Sequence, residues 1–252
     1  MISVLIPVKS RTPINLVENC VKNIYLDTNG IFRIILIINP ESEFSRFSFL
    51  LNEFSNLYIE YSRFPQISFS LNFAINKYPS SYYVRMDIDD IWLPGRTSDI
   101  LIHSSNKVDV LIGGAVIGKS IFLPSYKHIS LLWIKNSIVH PAVMFSDRFI
   151  ILANGYLTSS SGQDYELWLR TIFLKSFRDK HNIKIAYSNI PYIEYRLNAS
   201  SETSLKKNQT YLSSFLWKLN LAIKHFNIFL FGGSLLSLLK HLIVLFRKFF
   251  RI

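Results

Sequence analysis

Three carboxylates fall within four residues at Asp87, Asp89 and Asp90, directly after Arg85 and the apolar run Tyr82-Tyr83-Val84. Like charges this close raise one another's pKa unless a cation neutralises them. Hard oxygen ligands at the carboxyl end of a buried strand suit Mg²⁺ or Mn²⁺, ions that keep coordination positions open for substrate phosphates. The segment therefore reads as a metal and phosphate site. On the triplet alone a blander role stays open. Asp-rich turns also cap the next helix, and Asp90 ahead of Ile91-Trp92-Leu93-Pro94 could do only that. A further carboxylate, Asp164, begins a helical pattern, where the helix dipole and free amides favour an anion and where an Asp also serves as an N-cap. Trp168 offers either an apolar platform for a substrate or core packing, and His140 has no second His or nucleophile beside it to make a zinc site.

The elements that must position these residues alternate in type. Ser3 to Ile6, Arg33 to Ile38, Leu57 to Tyr61 and Tyr82 to Met86 read as strands, with helices over Pro13 to Tyr25, Arg46 to Phe54 and Ser68 to Asn76. This βαβ succession predicts a Rossmann-like, mostly parallel central sheet flanked by helices, with ligands beyond the carboxyl ends of the strands. Asp87 to Asp90 would sit at such an end, as would Pro7, Val8 and Asn39. A helix after Pro94 through His103, a strand at Val108 to Ile112 and a break at Gly113-Gly114 follow. Gly118 to Ser137 is irregular and suggests a small subregion over the sheet edge. Gln163 to Phe173 returns to a helical pattern, and short strands are expected at Lys184 to Tyr187 and Tyr192 to Tyr195.

The chain has 252 residues and a formal charge of +11, unevenly spread. From Leu205 onward there are eight Lys or Arg and no Asp or Glu, which leaves only +3 on the first 204 residues. Nucleic acid is not the expected partner, because a binding groove would interleave Arg and aromatics through the folded body. The organisation predicted is a body over residues 1–204 and a basic amphipathic helical tail over 205–252. Ile228 to Leu239 and Leu242 to Phe246 are apolar runs separated by Lys240-His241, and neither reaches the length of about 20 residues that a spanning helix needs. Lys240, Arg247 and Arg251 would share one face, with Leu242, Leu245, Phe246, Phe249 and Phe250 over much of the rest. An anchor at the membrane surface fits this pattern, with a helix packed on the body or in a dimer as the alternative. Met1 leads into Ser3-Val4-Leu5-Ile6-Pro7 with no secretory signal visible, so the body is expected in the cytoplasm, peripheral on the inner face of the cell membrane. Cys20, among Val17, Val21 and Ile24, reads as core filling.

Several segments together resemble a bacterial family 2 glycosyltransferase with the GT-A fold, of the subgroup that builds surface polysaccharides. They are Ser3 to Val8, Ser70-Leu71-Asn72, Arg85 to Pro94 with Arg96, His140 to Phe145, Gly155-Tyr156, Asp164 to Arg170 and Tyr195-Arg196. The chain departs from that pattern at Asn39, where an acidic residue usually contacts the nucleotide base, at Gln163, where Glu usually precedes the catalytic Asp, and at Asn198, where His is common.

The resemblance implies an inverting transfer of sugar from a nucleoside diphosphate, most commonly UDP, to a glycan or lipid-linked acceptor. It implies Asp89 as first metal ligand, Asp87 near the ribose or metal, Asp90 supporting the loop and Asp164 as general base. Pro7, Val8 and Asn39 would line the nucleotide pocket. Arg85 would approach phosphate or form an ion pair at the strand end, and Lys9 or Arg11 would neutralise phosphate. Two other readings compete. A phosphatase of the haloacid dehalogenase type also uses Asp-X-Asp, but on its first strand. A non-catalytic protein binding nucleotide sugars or partners is suggested by Asn39, Gln163 and Asn198.

Overall fold

The computed structural model describes residues 1–9, 11–39, 45–63, 66–157, 162–196 and 207–249. Asn198, Pro40, Glu41, Phe250 and Arg251 lie outside them, as do the side chains of Phe246, Arg247 and Phe249. The chain forms two compact units. The first comprises 1–124, 139–158 and 182–196, and the second comprises 125–138, 159–181 and 197–252.

The first unit holds the whole sheet. Its strands are β1 (Ile2–Val8), β2 (Arg33–Ile38), β3 (Leu57–Tyr61), β4 (Tyr82–Arg85), β5 (Ile91–Trp92), β6 (Val110–Ile117), β7 (Ser120–Phe122), β8 (Val143–Ser146) and β9 (Ile185–Tyr195). The order is β3-β2-β1-β4-β8-β6-β9-β5, with β7 paired to β6. The parallel βαβ arrangement runs through β3-β2-β1-β4, and from β4 onward the sheet is mixed: β8 is antiparallel to β4 and β6, whereas β9 is parallel to β6. β1 and β2 are almost continuous runs of Ile, Leu and Val buried on both faces, as expected where helices cover a parallel sheet. The helix Ile14–Thr28 buries Val17, Cys20, Val21 and Ile24, spaced for one face, and ends at Asn29 in the left-handed region.

Four expected elements differ in detail. Arg46 to Phe54 forms two short helices, Ser45–Ser48 and Leu50–Glu53. β6 runs through Gly113-Gly114 instead of breaking there. A Cβ on Gly113 would lie 2.1 Å from the Tyr192 ring, and one on Gly114 would lie 2.6 Å from the Phe122 carbonyl oxygen. The glycines thus admit close neighbours inside a strand, where the β6–β9 register shifts. The two short strands near the end of the body are one, β9, which tolerates Pro191 at that irregularity. The irregular stretch after Gly118 contains β7, which pairs with β6, and, in the second unit, the helix Tyr126–Ser130.

In the second unit Gln163–Trp168 is α-helical and continues as a π-helical turn, Leu169–Phe173, in which Leu174 N–H reaches Leu169 O at 3.3 Å. The helix Lys175–His181 follows. The tail forms two helices, Lys207–His225 and Ile228–Phe249. Lys240-His241 does not interrupt the second helix. The 18 residues Ile228–Leu245 form a segment long and apolar enough to cross a membrane by length and composition, which corrects the reading that neither run suffices. A buried core helix passes the same test, but only 22% of this window is buried.

Candidate active site

The strand order brings the ends of β1, β2 and β4 side by side. Val8 pairs with Ile38 and Leu5 with Arg85, and Met86 N–H continues the ladder to Leu5 O at 3.1 Å. Pro7 and Val8 close β1, and Asn39 N–H bonds to Val8 O at 2.9 Å. Asn39 is further fixed by Ser70, whose hydroxyl donates to Asn39 Oδ1 at 2.8 Å. Lys9 and Arg11, just past β1, are exposed.

Arg85 is buried at the end of β4. Its guanidinium donates to Asp87 Oδ1 at 2.5 Å, to Leu5 O at 3.3 Å and to Met86 O. It is an ion-pair partner of Asp87, and its buried Nε has no hydrogen-bond partner. Asp87 and Asp89 are half-buried, and Asp90 is buried. Asp90 N–H reaches Asp87 O at 3.3 Å, which closes the turn. Asp90 Oδ1 accepts the Arg196 backbone N–H at 3.1 Å, while its buried Oδ2 has no hydrogen-bond partner. Burial and the neighbouring Asp87 and Asp89 push the Asp90 carboxyl up to about 8, against the Arg196 N–H and Arg85, which lower it. The turn thus carries more negative charge than Arg85 balances.

Those features fit a divalent cation held on an open face. Among the described residues no group of three or more His, Cys, Asp or Glu is placed to hold a metal ion by itself. Mg²⁺ and Mn²⁺ commonly take only one or two carboxylates and complete their shell with phosphate and water.

The turn is held from behind by Asn23, Asp27 and Thr97, which the sequence reading did not single out, and by Arg96, which it placed in the matched segment. Asn23 Oδ1 accepts Trp92 N–H at 2.8 Å, and Asp27 Oδ2 accepts Trp92 Nε1–H at 2.7 Å together with the Thr97 hydroxyl. Arg96 is fully buried, 3.8 Å from the centroid of the Trp92 ring, and donates to the carbonyls of Arg85 and Pro141 at 2.9 Å each. Desolvation lowers its pKa to about 9, yet at neutral pH it remains a cation that ties the ends of β4 to the His140-Pro141 segment.

Three of the matched segments hold one another. Asn72 Nδ2–H donates to Tyr156 O at 2.8 Å and Asn72 Oδ1 accepts Tyr156 N–H at 2.9 Å. The Tyr156 hydroxyl lies 3.2 Å from His140 Nε2. Burial, then Arg85, holds His140 well below the usual imidazole range, so it is neutral. No signal of spacing announces this chain of contacts, which joins residues 16 to 84 positions apart.

Asp164 belongs to the second unit. It is half-buried on the helix Gln163–Trp168, and its Oδ2 accepts Asn136 Nδ2–H at 2.8 Å. Glu166 is buried and paired with Arg170 at 2.8 Å, and Trp168 is fully buried core. The carboxylate of Asp164 thus has an Asn partner within its own unit.

No family model matches the chain. One curated relative, the O-antigen biosynthesis glycosyltransferase WbnJ of Escherichia coli, is 31% identical over 116 residues. That stretch is 42% of this chain and 46% of WbnJ, so the chain matches less than half of that relative's length. The amylovoran biosynthesis glycosyltransferase AmsE of Erwinia amylovora is 24% identical over 242 residues, covering 89% of this chain and 87% of AmsE. Among solved structures, Staphylococcus aureus TarS 1-349 in complex with UDP-GlcNAc superposes with a TM-score of 0.63 at 12% identity, over 88% of this chain and 66% of that one. The fold is a glycosyltransferase fold, of the GT-A type. The mannosyltransferase PcManGT of Pyrobaculum calidifontis, in complex with GDP-Man and Mn²⁺, agrees with a TM-score of 0.60 at 13% identity, over 93% of this chain and 69% of that one. The two curated relatives are named as glycosyltransferases of O-antigen and amylovoran biosynthesis, and the solved neighbours share the fold.

Proposed function

We propose that this protein is an inverting, metal-dependent glycosyltransferase. It moves a sugar from a nucleoside-diphosphate donor, a UDP-sugar first, to a hydroxyl of a growing, lipid-linked surface polysaccharide. The observation that carries the reading is the Asp87–Asp90 turn at the ends of β1, β2 and β4, with three carboxylates against one Arg and the buried Asp90 Oδ2 unpartnered. TarS binds UDP-GlcNAc and PcManGT binds GDP-Man and Mn²⁺ on the same fold, which supports the donor class.

Asp89, with Asp87, would hold the cation, whose charge favours departure of a diphosphate. Arg85 fixes the Asp87 carboxylate, and Asp90 anchors the turn to Arg196. Pro7, Val8 and Asn39 form the wall for the nucleotide, with Ser70 setting the Asn39 amide. Asp164 accepts the proton of the acceptor hydroxyl as it attacks, and in-line attack inverts the anomeric centre. The basic tail places the protein on the inner face of the cell membrane, beside a lipid-linked acceptor.

The test is nucleotide release from a panel of UDP- and GDP-sugars with a lipid-linked oligosaccharide acceptor. Asp164→Asn should keep donor affinity and lose about 10²- to 10⁴-fold in turnover. Unchanged transfer by that variant would remove Asp164 from the mechanism.

A further inference from the structure

The helical hairpin of the second unit buries polar groups beside the apolar Leu221, Ala222 and Leu230. Its seam holds Ser214, Lys218, Ser234 and Ser237, all buried, while large apolar side chains face outward. On Ile228–Phe249 the exposed residues Ile228, Phe231, Leu235, Leu239 and Leu242 recur at three and four positions, which makes one continuous stripe. Soluble proteins bury such residues and rarely leave a contiguous patch of them outside.

The seam is closely packed, so the stripe is not a sign of loose packing. Lys218 Nζ donates to Ser237 Oγ at 3.0 Å, and the Ser214 and Ser237 hydroxyls lie 3.2 Å apart. A Cβ on Gly233 would fall 2.0 Å from the Trp133 carbonyl oxygen, so the helix sits hard against the 125–138 segment.

The turn between the two helices adds a second, independent sign. Phe226 is 98% exposed and Ile228 79%, with Ile223 and Phe229 also exposed. Phe226 adopts φ 48°, and Asn227 N–H bonds back to Ala222 O at 3.0 Å, the closing bond of a helix end whose left-handed position is normally Gly or Asn. A bulky aromatic here costs backbone strain and gains no contact within the fold.

We infer that this hairpin docks on an anionic lipid surface, with the tip Phe226, Ile228 and Phe229 and the stripe Phe231, Leu235, Leu239 and Leu242 seated in the headgroup and acyl boundary. Charge selects this occupant. No Asp or Glu follows Leu205, whereas Lys206, Lys207, Lys218, Lys224, Lys240, Arg247, Lys248 and Arg251 do. A second copy would bring like charge against like charge, and an anionic bilayer brings the opposite. The inference deepens the membrane-surface part of the proposed function and rests on it, while standing apart from the donor site.

The experiment uses the full chain and two kinds of vesicle, phosphatidylglycerol mixed with phosphatidylcholine and phosphatidylcholine alone. Wild type should sediment with the anionic vesicles and much less with the neutral ones. Phe226→Asn relieves the strained turn, so its melting temperature should hold or rise while vesicle affinity falls about tenfold, as should that of Leu235→Asp. Equal sedimentation of wild type and both variants would overturn the inference. So would a dimer that Leu235→Asp converts to monomer without any vesicle binding, since a second copy would then cover the stripe. Retention in membranes after alkaline carbonate extraction would also overturn it, in favour of a spanning helix. Nucleotide titration without vesicles should be unchanged in both variants, which separates failure here from failure of the donor site.

Discussion

Asn136 donates a 2.8 Å hydrogen bond to Oδ2 of Asp164. Asn136 comes from the irregular stretch before the His140-Pro141 segment, and Asp164 opens the helix Gln163–Trp168, so a loop with no secondary structure of its own aims the proposed base. An amide is well suited to this, because it donates to one carboxylate oxygen without carrying a charge of its own.

Asn136→Ala should therefore lower kcat about tenfold, the order of one hydrogen bond to a charged group, with little change in donor KM. Steady-state kinetics separate this from a structural defect, which would raise KM and lower the melting temperature. Equal falls in stability and donor affinity would count against a positioning role.

Gly113 meets the Tyr192 ring so closely that even one methyl group has no room. Gly113→Ala should cost about 1–3 kcal/mol in urea unfolding, as overpacking of a filled core does. A change below about 0.5 kcal/mol would mean that β9 can shift to relieve the clash.

Burial, then Lys240, lowers the Lys218 ammonium from 10.5 to about 8. Below pH 8 the folded and unfolded states both keep the proton, and the folded state bears the cost of burying it. Between about 8 and 10.5 the unfolded state binds more protons, so stability rises with pH across that window. Two of its three hydrogen bonds are long, at 3.4 Å to Ile134 O and Gly233 O, and repay little of the cost. Lys218→Met should abolish the rise and be more stable than wild type at pH 7 by about 1–3 kcal/mol. Chemical denaturation at pH 7 and pH 10 measures both effects.

Strands fed by dense Ile, Leu and Val were legible in the sequence, and β2 and β3 fall at their expected bounds. The elements that misled did so because their reasons lie far along the chain. Gly113 and Gly114 look like punctuation until Tyr192 and Phe122 are seen against them. Lys240 looks like the end of an apolar run, but in the helix its Nζ lies 6.0 Å over the Tyr211 ring and the apolar surface continues around it. At the site, carboxylates in a row could be read directly. Most of their supports could not, because Asn23, Asp27 and Asn136 are ordinary residues whose meaning comes from the partner each one reaches.

The most direct measurement is calorimetric titration of the folded protein with UDP, GDP and dTDP, each with Mn²⁺ and again with EDTA, for wild type and Asp89→Ala. One nucleotide should bind wild type only with the metal present, and Asp89→Ala should lose that binding while remaining folded by circular dichroism. Absence of binding to folded wild type by any of the three, or equal binding by Asp89→Ala, would contradict a metal-dependent donor site at the Asp87–Asp90 turn.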